Sequence, residues 1–262
     1  MDGLTMTIKL VSWNVNGIRA VSKKNEFWDW FDSTDADIIN FQEVRAQESD
    51  IPKKLLNRDG FDTYFNQAEK KGYSGVATYS GIAPLNVTKG LGVDNLDSEG
   101  RVLEVEYPSF TLFNIYFPNS GMNAKRLDFK VEFCDVLLDR MLELTDNGVN
   151  VVLTGDYNIA HNPIDVYSPS NCEGKSGYLP EERAWLDKVE EYGFVDTFRL
   201  FDEGEGNYTW WSYRTRARER NAGWRLDYFY VNKDLVGKVK SARILSDVYG
   251  SDHCPVTLEL DL

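Results

Sequence analysis

Five short apolar segments of this 262-residue chain are each followed by carboxylate or amide side chains, the oxygen ligands that hard divalent cations prefer. Carboxylates that a fold brings together repel one another and resist burial unless they are paired or bind a cation. The pattern therefore predicts one divalent-metal site assembled from the ends of several strands. The residues are Asn14 and Asn16 after Ile8–Trp13, Glu43 after Ile38–Gln42, Asp156 and Asn158 after Val149–Gly155, Asp227 after Trp224–Leu226, and Asp252 with His253 after Val248–Ser251.

The motifs differ in how specific they are. Asp156 lies in a Gly-Asp-Tyr-Asn sequence that is equally typical of a tight turn, and Glu43 alone is equally typical of a solvated strand end. The Asp252-His253 pair is more specific, because the chain has only 2 histidines. We interpret the other one, His161, as structural. The order and spacing of the five motifs together favour a functional site.

Strand-like and helix-like segments alternate along the chain, which predicts an α/β fold. We expect four layers, with two mixed β-sheets packed face to face, helices outside and the acidic strand ends at one rim. Without a linker-like segment, the chain is expected to form a single domain over residues 1–262, in which Met1–Thr5 is expected to be a disordered extension. The predicted strands are Ile8–Trp13, Ile38–Gln42, Ser74–Ser80, Arg101–Glu106, Thr111–Phe117, Val149–Thr154, Leu226–Val231 and Pro255–Leu260. The predicted helices are Lys24–Ser33, Ser49–Asn57, Lys125–Leu144 and Pro180–Tyr192.

Composition limits the classes of partner. The net charge of −13 argues against broad nonspecific binding to nucleic acid. A local basic segment nevertheless lies between Arg214 and Arg225, among tryptophans. No apolar run reaches the roughly 20 residues of a membrane span, and the 3 cysteines form no CxxC pair. We therefore expect a cytoplasmic protein without a membrane partner, and a monomer, because no separate apolar interface is legible.

The chain resembles the exonuclease III family of abasic-site endonucleases, within the endonuclease/exonuclease/phosphatase superfamily that includes DNase I. The prokaryotic branch, particularly its archaeal members, is most similar. The resemblance covers nearly the whole chain after Met6, and the last two of its motifs are specific to the repair enzymes. These motifs are SWNVNGIRA (12–20), FQEVR (41–45), KGYSGVATYS (71–80), NIYFPN (114–119), GDYNIAH (155–161), YTWWSYRTRARERNAGWRLDYF (208–229) and GSDHCP (250–255).

The resemblance implies a role for each motif at one phosphodiester. It implies Mg²⁺ or Mn²⁺ as the cofactor, with Glu43 as the principal ligand and Asn14, Asn16 and Asp252 nearby. The other implied roles are Asp156 orienting or deprotonating the attacking water, Asn158 and Asn119 holding the phosphate, His253 with Asp227 behind it donating to a phosphate oxygen, and Tyr116 at the phosphate or the leaving 3′ oxygen.

The resemblance also implies double-stranded DNA with abasic or damaged sites as the partner. Trp210, Trp224 and Leu226 correspond to the pocket that receives a flipped, base-less sugar. The implied contacts to the DNA backbone are Arg19, Lys23, Arg45, Tyr73, Lys125, Arg214, Arg216 and Arg218. A solvated charge run explains Arg216 and Arg218 equally well. Met122 stands where some relatives insert an arginine into the duplex, which weakens the case for wedging from that loop.

The leading hypothesis is a DNA-repair nuclease that incises 5′ to abasic sites, with 3′–5′ exonuclease and 3′-end-trimming activity at the nucleoid. Some archaeal relatives also nick at deoxyuridine, and that question stays open here. A phosphoesterase of the same superfamily acting on a lipid or inositol phosphate is the first alternative. It would share Glu43, Asp156 and His253 but would have no use for the Arg214–Arg225 segment. A non-catalytic nucleic-acid-binding module is the second alternative.

Overall fold

Two six-stranded mixed sheets dominate the computed structural model, which describes residues 6–262. The predicted extension, Met1–Thr5, lies outside the described residues. The first sheet has the order β11-β12-β1-β2-β4-β3, and the second has the order β5-β6-β7-β8-β10-β9. The strands are β1 (Thr7–Asn14), β2 (Ile38–Gln42), β3 (Asp62–Asn66), β4 (Val76–Ser80), β5 (Asn86–Lys89), β6 (Val102–Glu106), β7 (Thr111–Tyr116), β8 (Val151–Asp156), β9 (Phe194–Asp196), β10 (Asp227–Asn232), β11 (Val239–Ile244) and β12 (Val256–Asp261).

Helices cover the outer faces of both sheets and complete the four predicted layers, which confirms the predicted fold class. The helices are α1 (Ile18–Val21), α2 (Asn25–Ser33), α3 (Lys53–Leu56), α4 (Asp94–Asp97), α5 (Leu127–Asp146), α6 (Pro169–Cys172) and α7 (Pro180–Glu191). Within residues 6–262, no helix is long and apolar enough to cross a bilayer.

Alternation along the central strands explains why both sheet faces are buried. In β1, Leu10 packs into the core between the sheets, whereas its neighbour Val11 packs outward against the helical layer that contains Phe27. In β8, Val152 faces the other sheet and Leu153 faces the layer of α5 and α7. Successive side chains of a strand point to opposite faces, so an unbroken apolar run is what such a strand requires.

Four strands escaped the sequence prediction, and they are the four edge strands β3, β5, β9 and β11. Edge strands are half-exposed and mix polar with apolar residues, so they lack the apolar run that signals a central strand. The predicted helix Ser49–Asn57 was wrong in its first half. A 3₁₀ turn over Glu48–Asp50 is followed by the α-helix α3, and the two are separate because Pro52 disfavours helical backbone in the preceding residue and offers no N–H.

Only part of the expected strand-end pattern is correct. Asn14 and Asp156 end β1 and β8, and Glu43 follows β2. Asp227 instead begins β10, and Asp252 precedes β12. Both β10 and β12 run antiparallel to the strands beside them, so they enter the rim where β8 and β1 leave it. Carboxylates therefore meet at one rim whether they end or begin a strand.

A glycine in β8 leaves no room for a side chain near this rim. Gly155 has φ +143° and pairs with Ile115 of β7, and a Cβ at this position would lie 1.8 Å from the Ile115 carbonyl oxygen. We expect Gly155→Ala to lower the free energy of unfolding by at least about 3 kcal/mol, because the strands must separate. Chemical denaturation measures this loss. Gly237→Ala, whose Cβ meets nothing within 4 Å, is the control and should change stability by less than about 0.5 kcal/mol. Equal effects of the two changes would contradict the prediction.

Candidate active site

The predicted catalytic and metal-binding side chains converge on one cavity of about 330 Å³ at the rim of the two sheets. Strands from both sheets contribute, since β1 and β2 belong to the first sheet, and β7, β8 and β10 to the second. Asn14 and Asp227 are fully buried behind the cavity wall. The residues that line the cavity are Asn16, Glu43, Arg45, Tyr116, Asn119, Asp156, Asn158, Lys175, Ser176, Gly177, Trp210, Trp224, Leu226, Asp252 and His253.

The same tight turn follows β1 and β8. The Asn14 side-chain oxygen accepts a hydrogen bond from the Asn16 N–H at 2.9 Å, and the Asp156 carboxylate accepts one from the Asn158 N–H at 2.8 Å. Asn16 and Asn158 both have left-handed backbone, with φ of 48° and 49°. Asparagine tolerates that conformation better than most residues. The Asn-x-Asn and Asp-x-Asn motifs thus form turns that aim both amides into the cavity.

Glu43 and Arg45, after β2, also have left-handed backbone, with φ of 54° and 52°. Neither residue type favours this conformation, which costs of order 1–3 kcal/mol at each position. The turn is held by the Val44 and Arg45 N–H groups, which donate to the carbonyls of Gly75 and Ser74. Strain maintained by surrounding hydrogen bonds is a mark of a functional site.

His253 lies between two buried carboxylates. Its Nδ1 is 2.8 Å from Asp227 Oδ2, and its Nε2 is 3.7 Å from Asp156 Oδ2. Asp227 and Asp156 are directly opposite one another on the antiparallel strands β10 and β8. The Asp227 carboxylate therefore fixes the ring so that Nε2 points towards Asp156 and the cavity.

This group has perturbed protonation equilibria. Burial raises the pKa of Asp156, an effect that the nearby His253 partly offsets. Burial lowers the pKa of His253, but Asp227 and Asp156 raise it further, so the net pKa lies well above the ordinary value. The imidazole is therefore protonated at neutral pH and can donate hydrogen bonds to an anion. Burial, followed by the charges of Glu43 and Asp156, raises the pKa of Tyr116, so its phenol keeps its proton.

An amide links the acidic corner of the cavity to this histidine group. Asn14 Nδ2 lies 3.0 Å from Glu43 Oε2 and 2.7 Å from Asp156 Oδ2. Asp252 accepts hydrogen bonds from Asn16 Nδ2 at 2.8 Å and from Trp210 Nε1 at 3.1 Å. These neutral donors hold the carboxylates near one another, so that each carboxylate does not need its own positively charged partner.

The donor set fits a hard divalent cation. Atoms of Asp156, Asp227 and His253 lie within 4.8 Å of one another, but the protonated imidazole is already the cation of that group. The Oδ1 atom of Asp227 is buried and has no hydrogen-bond partner. Glu43 and Asp252 add two more carboxylates to the lining of the cavity, where the amide of Asn16 also lies. Carboxylate and amide oxygens are the ligands of Mg²⁺ and Mn²⁺, whereas the described part of the chain brings no cysteine into the cavity.

Two indoles and a leucine form the apolar wall of the cavity. Trp210 pairs through its backbone with Trp224 and with His253. The rings of Trp210 and Trp224 meet edge to face, with centroids 6.3 Å apart. Leu226 lies beside them, directly before Asp227. An apolar compartment therefore adjoins the polar group, as the sequence led us to expect.

Comparison with known proteins agrees with this geometry. Residues 11–253 match the Endonuclease/Exonuclease/phosphatase family. The chain belongs to this family. It is 43% identical to an exodeoxyribonuclease of Bacillus subtilis, with 97% of this chain and 100% of that protein covered. It is 39% identical to the DNA repair nuclease APEX1 of Danio rerio, with 99% and 84% covered.

A solved structure gives the same result. The crystal structure of the AP endonuclease LMAP from Leishmania major superimposes with a TM-score of 0.88 at 30% identity, covering 98% of this chain and 88% of that one. The predicted family and the prediction of a DNA-repair nuclease, a hydrolase of phosphodiesters, are confirmed. Membership of this family also supports a metal-dependent reaction.

The predicted DNA contacts of this family member fall in different places. Arg19 and Lys23 line a groove of about 650 Å³ that adjoins the cavity, and Arg45 lines both. Tyr73 lies beside the cavity, where its hydroxyl accepts hydrogen bonds from Arg101 and Arg126 at 3.0 and 2.8 Å. Lys125, Arg214 and Arg216 are exposed, and Arg216 is paired with Glu219 at 2.6 Å.

Arg218 is engaged within the protein itself. Its guanidinium lies 4.5 Å from the Trp211 ring and 4.1 Å from the Tyr249 ring, and it donates to the Ser246 and Val248 carbonyls at 2.5 and 2.7 Å. These contacts account for Arg218 as a residue that holds two loops together. Its assignment to DNA stays a prediction without support from its placement. His161 is likewise a structural residue, bound to Asp187 at 2.7 Å.

Sequence reasoning missed three cavity residues in the loop before α7. Lys175, Ser176 and Gly177 line the cavity, and Ser176 donates to the Asn119 side chain at 3.0 Å. The available signal was the long stretch between residues 162 and 179 in which no helix or strand is predicted, with a glycine on each side of Lys175-Ser176. A lysine there adds a positive charge to the cavity that the side chains of Asn119 and Asn158 also line.

The two histidines permit a matched test of the His253–Asp227 pair. We expect Asp227→Asn to reduce phosphodiester hydrolysis by about 100-fold or more, because an amide neither fixes the ring tautomer nor favours the imidazolium. Asp187→Asn removes the equivalent carboxylate of His161 and should leave the rate within about 2-fold, since His161 contacts no cavity residue through its ring. Steady-state kinetics of both variants measures this. Comparable losses, or an unaffected Asp227→Asn, would refute the assignment.

Proposed function

We propose that this protein hydrolyses the phosphodiester 5′ to abasic sites in double-stranded DNA and leaves a 3′-hydroxyl. The same phosphate site would act on 3′ ends, as a 3′–5′ exonuclease and in end trimming. The observation that carries the proposal is that polar side chains suited to binding a phosphate and an apolar wall line the same cavity. Relatives named as exodeoxyribonuclease and DNA repair nuclease support it over nearly the whole chain.

Each polar residue then has a role at the phosphorus. Asp156 takes the proton of the attacking water, for which its raised pKa suits it. Asn158 and Asn119, whose side chains are 3.2 Å apart, hold non-bridging oxygens. His253 donates to another oxygen and stabilises the charge that builds up there. Tyr116, kept protonated, donates to the leaving 3′ oxygen.

We assign the cation to the corner formed by Glu43 with Asn14, Asn16 and Asp252, with Mg²⁺ or Mn²⁺ as its identity. A bound divalent cation supplies charge neutralisation of the phosphate and of the leaving oxygen. The protein holds the ligands in advance through the Asn14–Glu43 and Asn16–Asp252 hydrogen bonds. Arg45, paired with Glu43, keeps the corner from carrying an uncompensated negative charge.

Selection of a missing base follows from the size of the apolar wall. The cavity of about 330 Å³ has to hold the phosphate as well as the flipped sugar. A base on that sugar would meet the edge-to-face indoles of Trp210 and Trp224, which offer no partner for its polar edge. A nucleotide that carries a base is thus disfavoured, because the base exceeds the available volume and its polar groups would be left unpaired. The abasic nucleotide avoids both costs.

Binding to duplex DNA is assigned to the basic groove beside the cavity. Arg19, Lys23 and Arg45 can neutralise phosphates along one strand without reading the sequence. This groove is local, because the whole chain carries a net charge of −13. We propose that the protein acts as a monomer.

The decisive assay uses a duplex with a single tetrahydrofuran site. We expect a nick 5′ to the lesion in Mg²⁺ or Mn²⁺ and loss of this activity, by a factor of about 10³ or more, in EDTA. A duplex of the same sequence with deoxyuridine, and one without damage, set the substrate range. Failure to nick the lesion in any divalent cation would refute the proposal, and a greater rate on an inositol or lipid phosphate would favour the alternative.

The apolar wall is tested separately from the phosphate site. We expect Trp224→Ala to lower kcat/KM for the abasic duplex about 10-fold or more, because the sugar loses its packing partner. The same variant should hydrolyse bis-p-nitrophenyl phosphate at a rate within about 3-fold of the native protein, since this small ester needs only the polar group. Parallel losses on both substrates would show that Trp224 maintains the fold of the site rather than selecting the sugar.

A further inference from the structure

A buried ion pair lies directly behind the phosphate-binding amides. The side chains of Lys130, in α5, and Glu182, in α7, are each 1% exposed, and Nζ lies 2.8 Å from Oε1. Neither residue lines the cavity. The roles assigned above leave this pair without a function.

The pair joins the three loops that form one side of the cavity. Lys130 Nζ donates to the Asn158 backbone carbonyl at 2.7 Å. Glu182 Oε1 accepts from Ser120 Oγ at 2.5 Å, directly after Asn119. Glu182 Oε2 accepts from the N–H groups of Gly177 and Leu179 at 2.7 and 3.0 Å. One ammonium and one carboxylate thereby fix the backbone beside Asn119, Asn158 and Gly177.

These loops need external support to hold their shape. Asn158 has left-handed backbone, and its side chain bonds Asn119 at 3.2 Å and the Phe117 carbonyl at 3.0 Å. Gly177 has φ +90°, and a Cβ there would lie 3.2 Å from the Trp224 ring and 3.3 Å from the Asn158 carbonyl oxygen. The loop of Gly177 is therefore packed between the phosphate-binding amide and the apolar wall. A shift of either loop would move both.

Stability alone does not account for such a pair. Removing two charges from water costs several kcal/mol per ion, and apolar residues of similar volume are often equally stabilising. A buried pair that makes four hydrogen bonds to neighbouring groups, besides its own contact, instead fixes one conformation among several of similar packing. The groups fixed here belong to the loops that carry the amides of Asn119 and Asn158, to which the substrate phosphate was assigned above.

We propose that Lys130 and Glu182 are positioning residues for the phosphate, acting through the amide of Asn158. The inference rests on the function proposed above. It predicts that the pair contributes to the rate of phosphodiester hydrolysis beyond any contribution to folding.

The test replaces both partners together, because a single change would leave one buried charge uncompensated. In Lys130→Met/Glu182→Gln, the glutamine oxygen can still accept from Gly177 and Leu179 while its amide donates to Ser120. The link to the Asn158 carbonyl is lost. The matched control is Arg140→Met/Glu104→Gln, another ion pair of α5, at 2.6 Å, which contacts no cavity residue. Activity is measured below the onset of unfolding, as monitored by circular dichroism.

The expected result is a loss of at least 10-fold in kcat on the abasic duplex for the first double variant, and less than 2-fold for the control. The second measurement repeats the double change in an Asn158→Ala background, with enzyme in excess over DNA. There the further loss should fall below 3-fold, because the amide through which the pair acts is absent.

Two outcomes overturn the inference. One is a loss below 3-fold in the native background. The other is an equal loss in both backgrounds, which would mean that the pair acts through general stability. Failure of the native protein to nick the abasic duplex would instead refute the proposed function, so the two failures are distinguishable.

Discussion

The structure depends on placing the carboxylates of Asp156 and Asp227 opposite one another in the interior, with His253 against both. Two buried negative charges at neighbouring positions of a sheet are unfavourable without a cation. The imidazole becomes that cation, since the two carboxylates outweigh the effect of its burial on its pKa. Holding this group together requires that β8, β10 and the segment before β12 keep fixed positions relative to one another.

The interior between the sheets supplies that rigidity through polar as well as apolar contacts. Beneath the site, Gln42 of β2 donates to Asn114 of β7 at 2.8 Å, and Asn114 donates to the Ala77 carbonyl of β4 at 2.8 Å. Both side chains are fully buried. Apolar side chains can pack in several relative positions of the two sheets, whereas a hydrogen bond between the sheets requires one relative position. That position then sets the distance between Glu43, after β2, and Tyr116, at the end of β7.

The sequence predicted what is local and missed what depends on distant partners. Central strands carry their signal within a few residues, so they were predicted, and the sequence from Gly155 to Asn158 was recognised as typical of a tight turn. The four edge strands lack an apolar run, and their pairing is decided by their neighbours. Lys130 and Glu182 lie in amphipathic helices, where a charged residue is normally expected to face solvent. Their burial and their contacts can be recognised only from the folded structure, in which Ser120, Asn158 and Gly177 surround them.

Charge distribution explains how an acidic protein can act on an anionic polymer. A phosphate that enters the cavity meets Glu43, Asp156 and Asp252, and this repulsion must be offset locally. The protein contributes His253, Arg45 and Lys175 at the cavity, and a divalent cation adds the rest. This offset lies in the cavity and in the adjoining basic groove, whereas the chain as a whole has a net charge of −13, so we expect DNA bound in other orientations to be repelled. One arrangement of charges therefore leads us to expect both a low affinity for DNA in general and a site that can bind the phosphate.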